Sequence, residues 1–113
     1  LAGVSRIFHQ GEHGFYLVAE CDDAVVGSLM ITTEWSDWRD SLWWWIQSVY
    51  VIKPQRRRGV FRTLYEHVCG LAQSEDNVCG IRLYVEKDNS GAQSVYREMG
   101  MSETRYRLFE APL

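Results

Sequence analysis

The chain has 113 residues, 46% of them hydrophobic and 24% charged, with a formal net charge of −3. That length suits one modest core, the balance excludes a disordered chain, and no apolar run approaches the roughly 20 residues needed to cross a bilayer. Cys21, Cys69 and Cys79 are too scattered for a disulfide framework or a metal-ligand pair, as are His9, His13 and His67, so no metal is expected and the thiols read as reduced in a cytoplasmic protein.

The chain opens on "LAGVSRIFHQ" without an initiator Met; a fragment and a processed start both fit. No charged-then-apolar leader is visible, so secretion is not expected. Phe15 to Cys21, "FYLVAEC", is rich in β-formers. Asp22-Asp23 marks a tight turn and "AVVGSLMITT" resumes the β-prone pattern, which predicts an antiparallel hairpin. Gly27 within the second run suggests a bulge or a close backbone approach. Glu34 to Ser41, "EWSDWRDS", is polar with two tryptophans and reads as a loop. Leu42 to Val51, "LWWWIQSVYV", reads as a strand that Lys53-Pro54 ends. Trp43 and Trp45 share one of its faces and Trp44 takes the other.

From Gly59 the period changes. Val60, Phe61, Leu64, Tyr65, Val68, Leu71 and Ala72 form one face of an amphipathic helix ending between Ser74 and Asn77. "VCGIRLYV", Val78 to Val85, alternates and predicts a buried strand. Asp88 or Asn89 can cap a second helix with Ala92, Val95, Tyr96 and Met99 as its buried stripe and Gly100 just past its end. A last strand is expected over about Thr104 to Glu110. The order is strand, strand, strand, helix, strand, helix, strand, with right-handed crossovers and no linker, hence one domain over residues 1–113.

"RRRGVFR", Arg56 to Arg62, sets the functional question, because it packs four of the twelve Lys and Arg around one glycine in an acidic chain. A nucleic-acid binder usually spreads such charge over a face, so a compact cluster favours a small phosphorylated ligand. The cluster also lies where a strand gives way to a helix. A helix start leaves N–H groups unpaired and carries partial positive charge, and successive N–H groups form an anion nest. Gly59 lets the backbone come close. The alternative is a solvated basic turn with a glycine for geometry. Neither GxxxxGK[ST] nor GxGxxG is present.

"VYVIKPQRRRGVFRTLYEHV" resembles motif A of the GCN5-related N-acetyltransferases: a hydrophobic strand, then Arg/Gln-x-x-Gly-x-Gly/Ala, then a helix. Arg56 and Gly59 match; Phe61 stands where a second Gly or Ala is usual. "YVEKDNSGAQSVYREMGM" is similar to motif B, with Asn89, Ala92, Tyr96 and Gly100 in register and Met101 replacing a Phe. The resemblance covers nearly the whole chain, and the N-terminal strand and helices have only a remnant in "LAGVSRIFHQ". It implies an α/β (α+β) acyl-CoA N-acyltransferase-like mixed sheet with central splayed parallel strands, flanking helices and a shortened N-terminal part.

The resemblance further implies acetyl-CoA as donor. The backbone at Val49 and Val51 would pair with the pantetheine arm. The amides from Arg57 through Arg58, Gly59, Val60 and Phe61 to Arg62 would hold the pyrophosphate, and Asn89 would bond near the pantetheine end. Tyr96 matches the family's general acid, against a reading as a core tyrosine on its helix's apolar stripe. Gln47 or Ser48 occupies the position where many relatives carry a basic Glu, which leaves Glu34 as the nearest acidic candidate and Asp37 next; both also fit solvated loop charges. Trp35, Trp38 and part of the triple run could line an acceptor pocket, seat a cationic amine or form a homodimer interface. The expected acceptor is an amine of a small molecule or a protein, with no nucleic acid or membrane partner. The alternatives are a CoA-binding module with weak or no catalysis and a nucleic-acid-binding domain.

Overall fold

The computed structural model describes residues 3–9, by their backbone alone, and 14–113. Its strands are β1 (Gly3–His9), β2 (Phe15–Cys21), β3 (Ala24–Ser36), β4 (Ser41–Val51) and β5 (Val78–Leu83), with helices α1 (Val60–Gln73) and α2 (Ser90–Glu98). The strands form one sheet in chain order; β1 to β4 are antiparallel and β5 joins β4 in parallel across α1. A mixed α+β fold with flanking helices is therefore observed as expected, and the stretch read as a remnant supplies β1.

The β2–β3 hairpin turns on Asp22 and Asp23, both left-handed (φ 52 and 65), as a two-residue type I′ turn demands. Gly27 follows a bulge, since Ala19 faces Gly27 while Glu20 faces Val25. It is also a close approach: a Cβ there would lie 2.7 Å from Val60 Cγ1 and 3.2 Å from the Tyr50 carbonyl oxygen. Gly27→Ala is expected to destabilise by about 1–3 kcal/mol through overpacking, read as a lower urea midpoint at unchanged slope.

The core lies between one sheet face and α1. Phe15, Leu17, Ala19, Leu29, Ile31, Trp44 and Ile46 face Val60, Leu64, Val68 and Ala72, an i, i+4 stripe along the helix. Leu17, Leu29, Ile31, Leu64 and Val68 are fully buried, each contributing roughly 1.5–3 kcal/mol relative to exposure. α1 ends at Ser74, whose N–H and hydroxyl bond the last carbonyls.

Four expectations need correction. Glu34 to Ser36 belong to β3, paired with Trp43, Leu42 and Ser41, so the loop shrinks to 37–40; polarity hid a cross-strand ladder. β5 stops at Leu83 and is only partly buried, being the sheet's last strand. The second helix's expected stripe exists, yet none of its residues is fully buried and Val95 is exposed. No strand forms over Thr104 to Glu110, where every residue is exposed; β propensity without a ladder partner does not make a strand.

Candidate active site

Parallel pairing of β4 with β5 runs from Leu42↔Val78 to Ile46↔Leu83 and then ends. The cause lies in β4. Met30 faces Gln47 and Ser28 faces Tyr50, so Ser48 and Val49 oppose Leu29 alone. This bulge puts Ser48 in the left-handed region (φ 52), a conformation that costs an L-residue about 1–2 kcal/mol. β4 thus bends where β5 leaves it, and the parallel pair opens. The Ile52 N–H donates to the Val26 carbonyl, so the ladder alternation turns the backbone groups of Val51 away from β3, toward the opening. The Val51 carbonyl there accepts a hydrogen bond from Arg56 Nε at 2.9 Å.

Past β4, a short 3₁₀ turn (Lys53–Gln55) leads into the arginine cluster. Arg57 (φ 65) and Gly59 (φ 81) are both left-handed, bringing successive amides into one concavity. The first amide to bond back is that of Thr63, to the Gly59 carbonyl. The amides of Arg57 to Arg62 have no backbone acceptor among the described residues. Gly59 is exposed, and a Cβ on it would meet nothing within 4 Å among the described residues. Arg56 folds back instead, its guanidinium 5.9 Å from the Tyr50 ring and bonded to Val51, which makes it a strut beneath the cradle. Arg57, Arg58 and Arg62 are exposed and form no ion pair among the described residues.

Asn89 caps α2, its Oδ1 accepting the Ala92 N–H at 3.1 Å. At the other end Gly100 (φ 94) and Met101 close a Schellman motif, their N–H groups donating to the carbonyls of Arg97 and Tyr96. Tyr96 is half-buried, and burial raises its phenol pKa above the usual tyrosine value. Its ring meets Phe61, the second residue of α1, at 5.9 Å and 61°. Phe61 is thus accommodated in place of a small residue because its ring leaves the cradle for the margin of the core.

Glu34 and Tyr96 line one cleft of about 870 Å³ with Trp45, Arg82 and Tyr84. Glu34 Oε1 accepts from Trp45 Nε1 (2.9 Å) and from Arg82 (3.3 Å). The cradle, Val49, Val51 and Asn89 lie outside that cleft; the Phe61–Tyr96 contact joins the two parts. Arg82 was missed in the sequence, although alternation with Ile81 and Leu83 puts it on the Trp43–Trp45 face.

Of the tryptophans only Trp44 is buried; Trp35 and Trp38 are exposed near the β3–β4 turn. Trp43 already carries Arg82 at 3.8 Å from its ring centroid and Arg39 at 5.2 Å, and Trp45 stacks on Tyr84 at 4.5 Å. The cation over Trp43 is thus the protein's own.

Tyr65 lies next to this helix start, and its pKa is pushed up to about 12 by burial first, then by the hydrogen bond and charge of Cys69. The unfolded chain ionises near 10.0 and the folded one later, so this stabilisation is complete below pH 10 and is lost as pH rises toward 12. The melting temperature is expected to fall over that window, and less steeply in Tyr65→Phe.

A mixed sheet with a bulged strand, an opened parallel pair and a helix start of free amides defines an acyl-CoA N-acyltransferase fold. The chain belongs to the acetyltransferase (GNAT) family, whose model matches residues 2–101. A possible acetyltransferase from Clostridium difficile 630 shares 40% identity, with TM-score 0.85, over 92% of this chain and 68% of that one. The probable N-acetyltransferase san of Drosophila melanogaster is 28% identical over 83 residues, 74% of this chain and 44% of that protein, so the chain spans less than half of its length. An aminoglycoside acetyltransferase from an uncultured soil metagenomic sample shares the fold at 21% identity and TM-score 0.78, over 92% of this chain and 68% of that one. Among the described residues no helix is long and apolar enough to cross a membrane, and no His/Cys/Asp/Glu group could hold a metal ion.

Proposed function

We propose that this chain, as one unit over residues 1–113, transfers the acetyl group of acetyl-CoA to an amine. The observation that carries this reading is the run of unpartnered amides from Arg57 to Arg62 beside the opened β4–β5 pair. Their donors, the open space at Gly59 and three guanidinium groups with no ion pair among the described residues fit a pyrophosphate. The backbone at Val49 and the Val51 N–H fit the amides of a pantetheine arm, and Asn89 would bond near its end. When bound, acetyl-CoA supplies the activated acyl group; the protein supplies position and electrostatics.

Tyr96 holds a proton on its phenol and acts as general acid toward the leaving sulfur. Burial keeps the phenol in its neutral, hydrogen-bond-donating form to higher pH than an ordinary tyrosine. Glu34 takes the proton of the attacking amine. Its Oε1 is already shared by Trp45 and Arg82, so Oε2 receives that proton.

The acceptor is an amine of a small molecule or a protein, entering on the Trp45–Tyr84 side. The free thiols of Cys21, Cys69 and Cys79 support a cytoplasmic setting, and the exposed Trp35 and Trp38 support a homodimer contact. The engagement of Glu34 by Arg82 favours a second reading, a CoA-binding module with weak catalysis. Release of free CoA thiol across a panel of primary amines separates the two: amine-dependent release is expected, and CoA binding without release would leave the module.

A further inference from the structure

Phe61 belongs to both halves of the site. Its N–H is one of the unpaired amides at the start of α1. Its ring packs edge-on against Tyr96 on α2, 5.9 Å away, and lies 6.3 Å from Tyr65. α2 is capped at both ends, and Gln93 on it donates to the carbonyls of Glu86 and Lys87, but none of its residues is fully buried, so few side-chain contacts fix its place relative to α1. Among the described residues Phe61 makes the one ring contact to Tyr96.

We propose that Phe61 is a positioning residue for Tyr96: the first turn of α1 sets the place of the phenol through this ring contact. The inference rests on the acid role of Tyr96. A small residue at 61 would leave the amides in place and remove the contact.

The test compares wild type with Phe61→Ala, Phe61→Leu and Phe61→Tyr. The readouts are NMR of ¹³Cζ-labelled tyrosines, with the Tyr96 signal assigned by its loss in Tyr96→Phe, calorimetric affinity for CoA, and turnover with the best amine of the panel. In Phe61→Ala the Tyr96 signal should shift and titrate at a lower pH, closer to an ordinary tyrosine. Turnover should fall roughly tenfold or more, since an ångström of misplacement can cost about 10²-fold, while CoA affinity stays within about threefold. Phe61→Tyr should restore most of both, and Phe61→Leu should fall between. An unchanged Tyr96 signal and titration in Phe61→Ala would overturn the inference. So would a loss confined to CoA affinity, which would place Phe61 in the cradle alone. If Phe61→Ala does not unfold cooperatively, Phe61→Leu carries the same comparison. Failure of the acid role shows separately, as unchanged turnover in Tyr96→Phe, and leaves the NMR comparison readable.

Discussion

Tyr96→Phe is expected to lower kcat for acetyl transfer by about 10²-fold or more, the usual worth of a positioned general acid, with CoA affinity within about threefold of wild type. The ring and its contact with Phe61 survive the substitution, so a loss of rate reports the hydroxyl rather than the packing. The pH dependence follows from the direction of the shift. Burial raises the phenol pKa, so the acid stays protonated at higher pH than an ordinary tyrosine would. Any alkaline fall in kcat due to this group is therefore displaced to higher pH than an ordinary tyrosine would give, and it should vanish in Tyr96→Phe. A stopped assay of acetylated product across pH 7 to 11, on wild type and variant, measures both effects. Unchanged turnover would make Tyr96 a packing residue of α2.

Gly59→Ala should weaken CoA binding by tenfold or more, about 1.4 kcal/mol. Two effects contribute. Gly59 sits at φ 81, where a side chain costs roughly 1–2 kcal/mol of backbone strain. The added methyl also stands in open space at the start of α1, where it is expected to narrow the approach to the amides. Gly59→Asn separates them, because asparagine tolerates the left-handed region. It should keep most of the stability yet still lose CoA affinity. Since the Cβ meets no atom of the described residues within 4 Å, any loss beyond the strain belongs to the ligand side. Thermal melts and calorimetry on both variants read the two effects apart.

The parts of the fold that were legible in the sequence are those whose pattern is local. The Asp22-Asp23 turn, the amphipathic stripe from Val60 to Ala72, the Asn89 cap and Gly100 past α2 each need only near neighbours in the chain. The cradle was legible for the same reason: a glycine, arginines and a helix start adjoin one another. What escaped depends on distant partners. Glu34 read as a loop charge because Trp45 and Arg82, which fix it, lie 11 and 48 residues away. Thr104 to Glu110 has strand propensity, but a strand needs a neighbour, and that segment has none among the described residues. The bulge at Ser48 left no local signal, since serine is not a residue that announces a left-handed backbone. Phe61 was legible as a departure but not as a contact, because Tyr96 arrives only through the packing of α2 beside α1.

Titration of CoA into the ¹⁵N-labelled protein, followed by amide spectra, tests the central claim most directly. The amides from Arg57 to Arg62, with those of Val49 and Val51, should shift together and saturate with one affinity, whereas Gly59→Ala should need at least tenfold more CoA. No shift at millimolar CoA, or shifts confined to residues outside the cradle and the opened strands, would contradict it.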